Sequence, residues 1–233
     1  MEQTLKITNV LSDPTRYYIY QYIAKQHNEV TVQEIAESFE IHPNVARLHL
    51  SKLEDVNMLV SETKKTGKGG RPSRLYRLSD DVIQLHFPFR DYQLLAKIAI
   101  QTMMSLGEAG QKALYLTGKR FGEEMIESQL PPHLNSLDQL SFEQKLNIIR
   151  EAASMSGFYP EFASSEDHSK IYFQIYNCPF KELASENTET VCRMHFAFLE
   201  GMFSVLFPEV VLEEKEKLVD GCASCSYHAT VAH

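Results

Sequence analysis

Four cysteines, Cys178, Cys192, Cys222 and Cys225, are the residues of this chain whose type and spacing most directly invite chemistry. They follow the pattern Cys-x13-Cys-x29-Cys-x2-Cys, so all four fall within 48 consecutive positions of a 233-residue chain. A Cys-x2-Cys pair lets two sulfurs bend onto one ion, and the other ligands must come from elsewhere in the fold. Thiolates in that number suit Zn²⁺ or an iron–sulfur cluster. His195 and His228 each stand three residues after a cysteine and are alternates for one thiolate. The competing reading is four inert thiols, since free cysteine is among the most buried residue types. Confinement of every cysteine to one segment favours a shared site. A third reading, a cysteine-based oxidoreductase, fits poorly. Such enzymes place Cys-x2-Cys at the start of a helix early in a βαβ unit, whereas here it follows the charged run 213–217. No Ser-His-Asp ordering, Walker loop or His-Glu-x2-His motif accompanies it, so the chain reads as a non-enzyme.

Length and composition bound what must position these residues. A chain of 233 residues predicts two domains, and 43% hydrophobic residues suffice for real cores. There is no run of 18 apolar residues, and MEQTLKITNV lacks the features of a signal peptide, which predicts a cytoplasmic protein. In that reducing compartment cysteines are expected as thiols or metal ligands rather than disulfides. The formal net charge is −8, yet residues 41–78 carry 8 basic and 3 acidic side chains. An acidic chain that gathers its positive charge in one stretch points to local phosphate binding.

That stretch has its own architecture. Val32, Ile35, Ala36 and Phe39 space one face of a short helix. A second helix follows through Ala46, Leu50 and Leu53, with Asn57 placed to close it in a left-handed conformation. Residues 58–60 and 75–78 read as strands flanking a glycine-rich tip at 66–70. Helix, turn, helix and basic hairpin make a winged helix-turn-helix, whose second helix enters the DNA major groove. Inward packing of Ala46, Leu50 and Leu53 leaves Asn44, Val45, Arg47, Leu48 and Ser51 facing outward. Arg47 and Asn44 are the candidates for base edges, because Arg pairs bidentately with guanine and Asn with adenine. Lys52 is expected on phosphate, and His49 is expected to point inward. Around the tip, Lys64, Lys65, Lys68, Arg71 and Arg74 are the wing candidates, with Arg71 before Pro72 placed for the minor groove. Five or six phosphate contacts predict a slope of log K against log salt of about −5.

The segments HPNVARLHLSKLEDVNML and GGRPSRLYRLS resemble the DNA-binding half of ArsR/DeoR-type bacterial regulators, in particular the branch of SufR repressors. The features that carry the resemblance are His49-Leu50 in the second helix, Gly70-Arg71-Pro72 in the wing and the closing Tyr76-Arg77-Leu78. Asn57 departs from the glycine more usual there, but asparagine tolerates the same backbone. The resemblance implies a [4Fe-4S] cluster on C-terminal cysteines. Cys178, Cys192 and Cys222 match that kind of spacing, Cys225 is the fourth candidate, and Asn177-Cys178-Pro179 and Cys192-x2-His195-x3-Leu199-Glu200-Gly201 look similar too. Zn²⁺ remains compatible with the spacing.

The remaining elements are expected as follows. Residues 4–27 read as one helix behind the reading head, its main part starting at Ser12-Asp13-Pro14. A helix from Asp91 carries Leu94, Leu95, Ile98, Ala99, Thr102, Met103 and Leu106, a core face or a seam for a second copy through Leu95, Ile98, Thr102 and Met103. Helices over 107–129, from Ser141 and over 189–207 are expected, with strands at 158–163, 170–176, 210–212 and 224–231. The predicted fold is therefore α+β. Residues 1–85 form a winged helix-turn-helix, and residues 86–233 form a helical dimerisation segment with a small antiparallel-sheet sensor. The function that follows is a homodimeric, sequence-specific repressor of operator DNA, controlled by the cysteine-held cluster or metal. The alternative is a regulator with a C-terminal small-molecule pocket and structural zinc.

Overall fold

The computed structural model describes residues 2–26, 28–64, 73–131, 133–134 and 136–231. The chain divides into two compact units, Met1–Arg90 and Asp91–His233.

In the first unit, α1 (Glu2–Leu11) and α2 (Pro14–Gln26) replace the single expected helix. The break lies at Ser12–Asp13, because Asp13 caps a new helix. Its carboxylate accepts the Arg16 N–H at 3.1 Å, and Pro14 occupies the first turn, where a missing N–H costs nothing. Strand β1 (Val30–Thr31) leads into α3 (Val32–Ser38) through a capping box. There the Thr31 hydroxyl accepts from Glu34 N–H, and the Glu34 carboxylate accepts from Thr31 N–H. Helix α4 (Pro43–Glu54) starts with the His42 ring accepting from Asn44 N–H at 3.2 Å and Pro43 at the first position. It ends where Asn57 takes a φ of 60°, with Met58 N–H bonded back to Leu53 C=O at 3.0 Å, as expected from the sequence. Strands β2 (Leu59–Lys64) and β3 (Ser73–Leu78) pair antiparallel from Leu59↔Leu78 to Lys64↔Ser73, and β1 adds to β3. Ile19, Ile23, Ile35, Leu50, Leu53, Leu59 and Tyr76 form the shared core. The unit is a winged helix-turn-helix. The wing tip, including Lys65, Lys68 and Arg71, lies outside the described residues.

The second unit opens with α5 (Tyr92–Ser105) and α6 (Glu108–Glu127). Helix α6 lies against α9 (Thr188–Leu206) with backbones almost touching. A Cβ on Gly122 would sit 2.0 Å from the Phe198 carbonyl oxygen, and one on Gly201 would sit 2.0 Å from that of Lys119. Helix α7 (Phe142–Met155), begun by a Ser141/Gln144 capping box, packs with α9 over one face of a four-stranded antiparallel sheet. Its strands are β4 (Pro160–Ser164), β5 (Lys170–Ile175), β6 (Val211–Glu216) and β7 (Cys225–Thr230), in the order β4-β5-β7-β6. Strand β5 alternates as its sequence predicts, burying Ile171, Phe173 and Ile175. On the inner face the Phe173 ring stacks on Phe203 of α9 at 5.1 Å and on Tyr227 of β7 at 4.9 Å. The pairing of β6 with β7 is interrupted by an irregularity at Glu214/Glu216.

Two elements differ from expectation. A short helix, α8 (Lys181–Glu186), stands where none was expected, after the Cys178 turn. Helix α5 does not use its apolar stripe as a core face. Of its large apolar residues only Ile100 is buried, while Leu94, Leu95 and Ile98 are exposed. Among the described residues no helix is long and apolar enough to cross a membrane.

Candidate nucleic-acid interface and thiol cluster

Helix α4 buries Ala46, His49, Leu50 and Leu53 and thereby fixes which side chains face out. Asn44, Val45, Arg47, Leu48 and Lys52 are exposed and Ser51 is half-buried. Val45 is 41% exposed and Leu48 55%, so an exposed apolar pair of the kind that meets thymine methyls flanks Asn44 and Arg47. The Arg47 guanidinium donates to the Asn44 side-chain oxygen at 2.9 Å, which holds both on one face of the helix. His49 points inward as expected, its Nδ1 3.8 Å from the Asp13 carboxylate at the α1–α2 break. Burial lowers its pKa against the opposing pull of Asp13, with Arg16 lowering it further, so the ring is neutral at pH 7. It braces α4 from behind.

The stem of the wing is arranged differently from the sequence reading. Lys64 Nζ lies 2.6 Å from the Glu29 carboxylate and 2.8 Å from that of Glu62. The Arg74 guanidinium grips the Glu54 carboxylate through two hydrogen bonds of 2.7 and 2.8 Å and donates from Nε to Ser61 Oγ at 2.7 Å. Both stem cations thus have carboxylate partners within the unit, which the sequence alone did not show. The hairpin register, which brings Glu54, Ser61 and Arg74 together, was the missing information. Between the N-termini of α3 and α4 and the stem lies a groove of about 650 Å³, lined by Thr31, Gln33, Pro43, Arg47, Ser73 and Arg74.

Cys178, Cys192 and Cys225 lie near one another in the second unit. Cys178 follows β5, and its carbonyl accepts the Lys181 N–H at 3.0 Å to start α8. Cys192 lies in the second turn of α9, and Cys225 opens β7 opposite Ile175, its Sγ accepting the Leu218 N–H at 3.3 Å. Cys222 lies in the turn before β7, with its N–H bonded to Lys217 C=O at 3.4 Å. Burial pushes the Cys178 thiol up to about 12, against the Phe180 N–H, and the nearby Cys225 and Cys192 add to the rise. Burial also raises Cys192 and Cys225, so all three favour the neutral thiol. His195 is buried one turn beyond Cys192, its Nδ1 3.9 Å from Cys178 Sγ and its ring stacked on Phe158 at 5.0 Å. Burial lowers it to about 4, and its Nε2 has no hydrogen-bond partner among the described residues. The alternation of β7 turns His228 to the sheet face opposite Cys225, where it meets the Tyr172 ring at 4.8 Å. That takes it away from the thiols. Among the described residues, no three His, Cys, Asp or Glu side chains are close enough to hold a metal ion. The donor chemistry fits a thiophilic centre, with His195 Nδ1 beside Cys178, but among the described residues the side chains do not close into a ligand set.

Residues 11–62 match a family described as a helix-turn-helix domain. The first unit carries a helix-turn-helix DNA-binding domain, the module of transcriptional regulators. No curated protein matches the chain. Among solved structures it is similar to a trafficking protein particle complex subunit 3 from Naegleria fowleri covalently bound to palmitic acid, at 15% identity and a TM-score of 0.42 over 60% of this chain and 97% of that one. It is also similar to the phenol-responsive sensory domain of the transcription activator PoxR with phenol, at 15% identity and a TM-score of 0.43 over 79% of this chain and 89% of that one.

Proposed function

We propose that the chain is a homodimeric transcriptional repressor, similar to the SufR branch, whose C-terminal thiols hold an iron–sulfur or zinc centre that sets its affinity for operator DNA. The observation that carries the DNA reading is the outward face of α4, where Arg47 and Asn44 stand beside exposed Val45 and Leu48 on a helix capped at one end and braced behind. Two such helices must reach half-sites about 34 Å apart, which calls for two copies. The centre would be held by Cys178, Cys192 and Cys225, with Cys222 or His195 completing the set. When bound, it supplies fixed positive charge that stabilises thiolates. The chain's own contribution is to bring those thiols together from the turn after β5, from α9 and from β7, with Cys225 buried.

Selection of duplexes from a random-sequence pool by the purified protein tests the DNA reading. Arg47→Ala should weaken the selected duplex by ten- to a hundredfold, the 1–3 kcal/mol of one bidentate base contact, and relax preference at one position. Equal affinity of the variant for selected and random duplexes, with the wild type equally indifferent, would sink this reading. For the centre, protein prepared without air should retain metal in proportion to chain, brown if iron–sulfur and colourless if zinc, and Cys178→Ser should lose it. Metal removal should then weaken duplex binding at least tenfold, a coupling of about 1.4 kcal/mol. Unchanged affinity after removal would leave the metal a structural element and favour a small-molecule pocket as the sensor.

A further inference from the structure

We infer that Arg74 is a positioning residue of the reading head, clamped with Glu54 and Ser61 to fix the wing against the last turn of α4, and does not itself bind phosphate. The inference rests on the DNA reading of the first unit. Three elements meet in the clamp. Glu54 is the last residue of α4, Ser61 lies on β2 and Arg74 on β3. The bonds form a closed ring. Arg74 donates twice to the Glu54 carboxylate and once to Ser61 Oγ, and Ser61 Oγ donates to Glu54 Oε1 at 2.7 Å. The guanidinium also lies 5.3 Å from the centre of the Tyr76 ring, and Tyr76 is part of the core with 1% exposure. Arginine suits such a role because one planar group can donate to a carboxylate from Nη2 and to a hydroxyl from Nε while lying near an aromatic ring. With Nη2 committed to Glu54, Nε to Ser61 and its charge matched by the Glu54 carboxylate, Arg74 is tied to its own domain rather than offered to a phosphate.

The location gives the clamp its purpose. A wing joined to its domain by a two-stranded ladder can swing about that ladder, and its tip carries the basic residues meant for DNA. Tying β2 and β3 to the C-terminal turn of the reading helix sets the angle between helix and wing before DNA arrives. Preorganisation of that kind removes an ordering cost from binding. Lys64, which pairs with Ser73 next to Arg74 at the tip end of the stem, is tied to Glu29 beside β1 and to Glu62, so both stem cations hold that end to the domain.

Glu54→Gln separates this role from a phosphate contact by sign. If Arg74 bound phosphate, removing the neighbouring negative charge would release it and tighten binding. As a clamp, loss of the carboxylate should weaken the selected duplex about five- to tenfold. Arg74→Lys, which keeps the charge and loses the fork, should weaken it similarly. Arg74→Gln should leave the slope of log K against log salt unchanged, whereas a lost phosphate contact would lower it by about 0.9. The charge-reversed pair Glu54→Arg with Arg74→Glu should recover most of the affinity that either single change loses. A second measurement needs no DNA. Amide exchange across 59–64 and 73–78 should speed several-fold in Glu54→Gln while that of α1 to α3 stays as in the wild type. Tighter or unchanged binding by Glu54→Gln, a reduced slope for Arg74→Gln, or unaltered exchange in the hairpin would each overturn the clamp. A wild type that enriches no duplex would instead defeat the DNA reading, and the exchange experiment would still decide the clamp.

Discussion

Gly122→Ala should destabilise the C-terminal unit by about 3 kcal/mol, at the upper end of what overpacking costs, and leave the N-terminal unit as stable as before. The added methyl would stand 2.0 Å from the Phe198 carbonyl oxygen and 3.0 Å from the Met202 nitrogen. Both are backbone atoms of α9, so no rotamer change relieves the contact and the helices must part. Parting them strips α9 from α6 along a seam that also holds Gly118 against Met194 and Gly201 against Lys119. Closely packed interiors transmit such strain rather than absorb it. Gly221→Ala is the control. Its φ of +87° strains any side chain, but nothing lies within 4 Å, so its cost should stay near 1 kcal/mol. Urea unfolding of the full chain, followed by a probe in each unit, reads both. Equal midpoints for the two variants would mean that the α6–α9 contact is looser than its geometry.

The second large effect concerns α5. Leu95 and Ile98 are 62% and 54% exposed, and Thr102 and Leu106 continue their stripe along the same side. The helix has one charged residue, Lys97, and its ammonium is paired with Glu186 at 2.5 Å. An apolar stripe without free charge suits a two-fold interface, where each residue near the axis meets its own copy and like charges would face each other. Ile98→Glu should therefore halve the molar mass measured by light scattering at micromolar concentration. Operator affinity should fall by a hundredfold or more, because a single reading head covers half a site. An equimolar mixture of Ile98→Glu and Ile98→Lys should restore the dimer, as an isologous seam requires. A wild type that is monomeric at those concentrations would remove α5 from this role.

The reading head was legible because its determinants are local. Thr31 with Glu34, Pro43 at a helix start and Asn57 at a helix end each announce a boundary within a few residues. The spacing of Ala46, Leu50 and Leu53 fixed the outward face of α4, including the inward turn of His49. What escaped depends on pairs distant in sequence. Glu54, Ser61 and Arg74 meet only once hairpin and helix are registered, so charge counting could not show the carboxylate partners of Arg74 and Lys64. The α5 stripe was read as either core or seam because periodicity shows that a face is apolar, not what covers it. The break at Asp13 was visible as a cap, yet the helical periodicity ran across it and suggested one helix. In the second unit the strands were legible from alternation and the spacing pointed to the cysteines. Their gathering required the sheet order β4-β5-β7-β6, which brings the ends of β5 and β7 beside α9. The fate of His228 followed from strand parity, a one-residue matter that a three-residue spacing from Cys225 could have signalled.

That same sheet order leaves β4 and β6 as open edges, and each is built to refuse company. Strand β6 carries Glu213, Glu214, Lys215 and Glu216 in succession and loses its regular pairing at Glu214/Glu216, while β4 begins with Pro160. Charge, irregular pairing and a missing N–H are the devices that keep exposed strands from recruiting further chains into a growing sheet. Self-association through the sheet is thus disfavoured at both borders. The molecule can carry an apolar, outward helix face for a partner without exposing itself to runaway aggregation.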